Sequence, residues 1–355
     1  AGVVLKKGAA PSVDLEPEYI AVSGGTAYVT LQEANAIAVL DLENAVFTGV
    51  YSAGFVDYSQ VKVDLDNTSD PEDGGAAYTP ANYADTFGLR MPDGIAAFTA
   101  GGRTYLVTAN EGDSREWGDY NNENEKKLVS TGGAETAKKV RILSSDYEGP
   151  AGLADGSRNY LFGSRSFTVF EVDSNGLTVV FDSADDFERL TNQYLPAYFN
   201  CSNDDVETDG RSNKKGPEPE SVVIGAVGGK TYAFVTLERI GGVMVYDVST
   251  PSEARFVNYM NSRDFASFDE DADRMGADNS PEGLAFVPAA QSSTGKNLLL
   301  AACEVGGTLA VYELTPQQNE VPEEPEEPDG GDEDGGGSGS SSGSSRYTDG
   351  VAFGI

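Results

Sequence analysis

Four stretches of the chain follow one arrangement, and that repetition restricts the fold more than any other feature. Each opens with an acidic residue after proline, continues as a strand-like run, turns, and closes a second run on glutamate. Pro17-Glu18 leads to the run 28–33 and then to 37–41. Pro92-Asp93-Gly94 leads to 105–111. Pro219-Glu220 leads to 232–238 and then 243–247. Pro281-Glu282-Gly283 leads to 298–304 and then 309–313. Short strands recurring this way belong to a propeller or a solenoid. Period-two alternation and turn residues predict strands at 26–33, 36–42, 103–109, 166–172, 177–182, 231–237, 243–248, 297–303 and 308–314.

The repeat also places chemistry. In an antiparallel hairpin, the start of one strand and the end of the next share an edge. The opening acid and closing glutamate of each unit therefore meet: Glu18 with Glu33, Asp93 with Glu111, Glu220 with Glu238, and Glu282 with Glu304. Units set around an axis gather these eight carboxylates on one face. Like charges held close raise one another's pKa or demand cations. Taken singly, each acid has a plainer role as a turn cap or as the partner of Arg115, Arg165 or Arg239. Taken together, they point to a cation or polar-ligand site.

The sequence contains no histidine. That excludes Ser-His-Asp and Cys-His catalysis, and it argues against zinc or copper, which favour imidazole and thiolate. A metal here would be a hard cation held by oxygens, with calcium first. Acid-base chemistry would fall to Asp, Glu, Lys or Tyr. The net charge of −34 argues against nucleic acid and anionic membranes as partners. No apolar run approaches the roughly 20 residues of a membrane helix. Of the two cysteines, Cys303 lies in an apolar run and reads as a buried thiol. Cys201 lies in a polar loop, and the sequence does not settle whether the two pair.

Along the chain, residues 53–90 read as a long loop carrying Asp64, Asp66, Asn67, Asp70, Glu72 and Asp73, without EF-hand spacing. Residues 121–139 read as a short helix or mobile loop. Residues 159–182 read as a degenerate blade in which Arg165 takes the place that glutamate holds elsewhere, and 184–195 as a short helix. Asp269, Glu270, Asp271 and Asp273 form another acidic loop. Trp117 and Tyr120 would be the natural stacking residues for a glycan. From Thr315 the composition changes: 316–345 is an acidic Pro/Glu and then Gly/Ser linker, and 346–355 is strand-like, with Val351, Phe353 and Ile355 alternating. The expected organisation is a propeller over 1–315, the linker, and a tail that adds as a strand to its own propeller or to a neighbouring subunit.

The runs 15–23, 27–33, 104–115, 215–220, 237–242 and 280–286 resemble the choice-of-anchor I family. Carrying the resemblance are Glu16-Pro17-Glu18-Tyr19, Asn110-Glu111-Gly112-Asp113-Ser114-Arg115, Lys215-Gly216-Pro217-Glu218-Pro219-Glu220 and Ser280-Pro281-Glu282-Gly283, spread over residues 13–314. The resemblance implies a secreted or surface-anchored all-β propeller. It also implies blades ahead of Glu16-Pro17-Glu18-Tyr19, for which this chain has almost no residues. Members often carry an alkaline-phosphatase label, yet this chain has neither a nucleophile motif nor a histidine ligand. The leading expectation is therefore a calcium-binding surface module for binding or matrix assembly. The alternatives are a calcium-dependent phosphoesterase, with Arg165 or Arg239 beside an open metal position, and a carbohydrate-binding module built on Trp117.

Overall fold

The computed structural model describes residues 2–67, 77–117, 120–174, 176–269, 275–316 and the backbone of Phe353–Gly354. Asp70, Glu72, Asp73, Glu270, Asp271 and Asp273 lie outside the described residues, as do almost all of the linker and tail.

The chain is mostly β, and its framework is four four-stranded sheets. Sheet I is an antiparallel meander of Ile20–Ser23, Thr26–Leu31, Ala36–Asp41 and Val46–Ser52. Sheet II contains Ile95–Ala100, Arg103–Ala109, Phe167–Asp173 and Gly176–Asp182. Sheet III contains Pro219–Val227, Lys230–Leu237, Val243–Asp247 and Arg255–Met260. Sheet IV contains Pro281–Val287, Asn297–Cys303 and Thr308–Thr315, with Phe353–Gly354 running parallel to Leu314–Thr315. The strands predicted from alternation are all present, their ends shifted by at most two residues. The helix expected at 184–195 is Asp186–Tyr194.

Alternation also explains how the sheets stack. Successive side chains of a strand point to opposite faces. In Lys230–Leu237, Ala233, Val235 and Leu237 enter one core together with Val107, Ala109, Phe167 and Val169 of sheet II. Tyr232 and Phe234 enter another with Leu299, Ala301 and Tyr312 of sheet IV. Sheet II divides in the same way, turning Leu106 and Phe170 toward Tyr28 and Ile37 of sheet I. The sheets therefore succeed one another in the order I, II, III, IV with a separate core in each gap, and the first strands of neighbouring sheets lie against one another. Fully burying one such aromatic contributes about 1.5–3 kcal/mol.

Three sequence expectations need correction. Residues 121–139 are neither helix nor loose loop: Glu123–Val129 pairs with Thr136–Leu143. Glu125, Lys126 and Lys127 are all exposed and hide the alternation, while Leu128, Ala137 and Val140 enter a core with Tyr58 and Tyr83. The stretch 53–90 carries two further strands, Phe55–Asp57 and Thr86–Leu89, in a three-stranded sheet completed by Asn159–Leu161. Residues 159–182 are consequently not a blade of their own. Asn159–Leu161 joins that small sheet, and the later hairpin supplies the last two strands of sheet II. The two cysteines are both buried and free.

Candidate functional site

The hairpin registers bring each opening acid to its closing glutamate. The Glu18 amide donates to the Thr30 carbonyl at 3.0 Å, and the Asp93 amide donates to the Ala109 carbonyl at 2.9 Å. The Glu238 and Glu304 amides donate to the carbonyls of Glu218 and Ser280, at 2.9 and 2.8 Å. Sheet II then meets sheet III through the Gly94 amide, which donates to the Glu220 carbonyl at 2.9 Å. A Cβ at position 94 would stand 2.6 Å from that oxygen, so glycine alone permits the approach. Met91, Glu218 and Ser280, each directly before a unit's proline, have φ of 43°, 52° and 59°. Such left-handed turns persist only where their surroundings hold them.

The result is one cavity of about 340 Å³. Seven of the eight predicted acids line it: Glu18, Glu33, Asp93, Glu111, Glu220, Glu238 and Glu282. The eighth, Glu304, does not line it but hydrogen-bonds Glu282. Tyr19, Gln32, Asp113 and Arg239 complete the wall.

The carboxylates divide into two kinds. Around Glu218 the charge is matched. Lys215 Nζ lies 2.9 Å from Glu218, 2.7 Å from Glu111 and 3.2 Å from Asp113. Arg239 sits 3.0 Å from both Glu218 and Glu238, and Arg211 also pairs with Glu218. Burial pushes the Glu218 carboxyl up, but Lys215, Arg211 and Arg239 outweigh it and hold the group well below the usual range. The Lys215 ammonium, though buried, is held well above its ordinary pKa by Glu111, Glu218 and Asp113.

Elsewhere the charge is not matched. Burial, then Glu16 and Glu18, push Glu33 up to about 8. Burial and then Glu111 raise Asp93, which shares a hydrogen bond with Glu220; burial, Glu111 and Asp93 raise Glu220 in turn. Burial and then Glu218 push Glu238 up to about 8. Glu33 Oε2 and Asp93 Oδ2 are buried with no hydrogen-bond partner, on residues only 7% and 4% exposed. A buried acceptor left unsatisfied costs about 1–3 kcal/mol, more for a charged group.

Two sets of carboxylates place ligand oxygens within 4.8 Å of one another: Asp93, Glu111 and Glu220, and Glu111, Glu218 and Glu238. The second set already has Lys215 and Arg239 among its oxygens. The first has no basic side chain of its own beyond the reach of Lys215 to Glu111, and its donors are the hard oxygens that calcium takes.

Of the other predicted ligand residues, only Arg239 lines the cavity. Arg115 is 1% exposed: Nε lies 3.1 Å from Asp14 Oδ1, and the guanidinium donates to the carbonyls of Glu33 and Val4, clamping the N-terminal segment. Arg165 is buried in an ion pair with Glu188 and donates to the carbonyls of Asp64, Ser212 and Lys214. It does not stand in for a ring glutamate, because it precedes the third strand of sheet II instead of closing a second one. Trp117 stacks on Tyr120 with Lys6 Nζ over both rings, and it does not line the cavity. The sequence reading missed Lys215, Glu218, Gln32 and Asn203. Gln32 donates to Glu111 at 2.6 Å, and Asn203 to Glu238 at 2.9 Å. The i,i+3 spacing of Lys215 and Glu218 was the available signal.

The chain is 27% identical over 182 residues to Gigasin-3a of Magallana gigas, covering 48% of this chain and 63% of that protein. It is 27% identical over 101 residues to a mesenchyme-specific cell surface glycoprotein of Strongylocentrotus purpuratus, covering 25% and 13%. The chain thus spans less than two thirds of either relative. Among solved structures, a putative 6-phosphogluconolactonase from Bacteroides fragilis aligns over 84% of this chain and 66% of its own at 13% identity, with a TM-score of 0.29, too low to indicate a shared fold. The choice-of-anchor I domain model matches residues 2–251, more than half of the sequence, and the chain belongs to that family.

Proposed function

We propose that the chain is a secreted or surface-anchored propeller module that binds calcium in its carboxylate cavity and serves in binding or matrix assembly. One observation carries this reading: Asp93, Glu111 and Glu220 converge within 4.8 Å, and Asp93, a cavity-lining residue only 4% exposed, keeps one buried oxygen without a partner. A hard cation supplies what that oxygen lacks. The family membership and the cell-surface relative support the location. Among the described residues no helix is long and apolar enough to cross a membrane. The backbone pairing of Phe353–Gly354 with Leu314–Thr315 supports addition of the tail to its own fourth sheet.

Calorimetric titration with calcium, combined with thermal melts in EDTA, tests the cation site. Calcium is expected to bind and to raise the melting temperature, since a ligand of the folded state alone stabilises it. Glu220→Gln is expected to remove that response. A wild-type chain that binds no calcium and melts identically in EDTA would overturn the reading.

A further inference from the structure

We infer that Lys215 is a tethered cation whose ammonium fills the second carboxylate set and so limits the cavity to one divalent ion. This inference rests on the calcium reading above. Oxygens within 4.8 Å of one another can share one calcium, which stands about 2.3–2.6 Å from each ligand. By that measure Glu111, Glu218 and Glu238 form as good a set as Asp93, Glu111 and Glu220, and Glu111 belongs to both. The sets differ in what already occupies them. Lys215 Nζ stands 2.7 Å from Glu111 and 2.9 Å from Glu218, and it reaches Asp113 at 3.2 Å. An ammonium has three N–H donors and no acceptor, so this one has a carboxylate for each donor.

The backbone holds Lys215 in this place. The residue is buried, and the chain leaves it through two left-handed positions, Gly216 at φ 65° and Glu218 at φ 52°. The Lys214 carbonyl accepts from Arg165 at 3.0 Å, and the Gly216 amide donates to the Arg211 carbonyl at 3.1 Å. Arg239 does not duplicate the ammonium. Its planar guanidinium bridges Glu218 and Glu238, and Glu111 is left to Lys215. With the ammonium gone, Glu111 would keep the Gln32 amide, at 2.6 Å, as its one side-chain donor among the described residues. A buried carboxylate left in that state takes up a proton or a cation. The oxygens of Glu218 and Glu238 are already within reach of the same ion.

The experiment is a calcium count on the intact chain by native mass spectrometry and calorimetry, on the wild type and on Lys215→Met. One ion is expected on the wild type and two on the variant. One ion on each would make Lys215 an ordinary structural ion pair and overturn the inference, with the calcium reading intact. Two ions on the wild type would overturn it outright. No ion on the wild type and one on Lys215→Met would overturn the calcium reading and uphold Lys215 as the occupant of the second set. No ion on either would overturn both. Should Lys215→Met fail to fold, Lys215→Gln, which keeps a donor for Glu111 and loses the charge, is expected to bind two ions, and one ion there would overturn the inference.

Discussion

Arg165 and Asp93 are about equally buried and have opposite electrostatic situations. Arg165 meets Glu188 and three backbone carbonyls, so its donors are filled from within the chain. The Arg115 node is closed in the same way by Asp14, Val4 and Glu33. Asp93 meets another acid, Glu220, and keeps one oxygen with no partner. The difference teaches that burial of charge alone does not mark a site. A buried ion whose partners are all supplied internally is structural, whereas a buried ion with partners missing leaves a place for something from outside.

The contrast can be broken most sharply at the closed nodes. Arg165→Ala strands Glu188 beside Asp64, already raised to about 7 by burial and Glu188. Removing one partner of a buried pair costs about 3–5 kcal/mol. Denaturant melts should show that loss equally with and without calcium; a loss that calcium rescues would place Arg165 in the cation site after all.

The open region should respond to ions instead. Calcium at about 100 times its dissociation constant should stabilise the wild type by about 2.7 kcal/mol. Glu220→Gln should lose that gain, yet be at least as stable as the wild type in EDTA, because the amide can keep the hydrogen bond to Asp93 without a carboxyl whose ionised form burial and Glu111 disfavour. A variant less stable in EDTA would mean that Glu220 is an ordinary structural acceptor.

pH should separate the regions more gently. In the unfolded chain glutamate loses its proton near 4.5, whereas folded Glu33 and Glu238 hold theirs to about 8. Between those values the folded state binds more protons, so stability falls as pH rises. Melts in EDTA from pH 5 to pH 8 should decline by several degrees, and calcium should flatten the slope. A melting temperature that rises with pH in EDTA would contradict the raised carboxyls.

The smallest effect belongs to Trp117. Its stack with Tyr120 and Lys6 is half exposed, so Trp117→Ala should cost about 0.5–1 kcal/mol and leave calcium binding unchanged. A change in calcium affinity would tie this platform to the cavity.

The strands and the meeting of acids were legible in the sequence because both are local. Alternation sets which faces of Lys230–Leu237 are apolar, and a hairpin necessarily returns Glu238 to the edge where Glu220 begins. The role of Arg165 was not legible, since its place depended on whether 159–182 formed a separate unit. That was decided by pairing across a long separation, Asn159–Leu161 with Thr86–Leu89 and Phe167–Asp173 with Arg103–Ala109. Nor could the hairpin at 123–143 be read where charged residues mask its buried face.

By itself, then, the sequence determined the all-β class, the hairpin units and the identity of the acids, because these follow from side-chain period and chain connectivity. Tertiary structure alone decided which acids are neutralised and which are left open. That outcome turns on where Lys215, Arg239, Arg115 and Arg165 arrive in space. Electrostatic compensation depends on distances of about 3 Å between residues up to about a hundred positions apart, which no local pattern encodes.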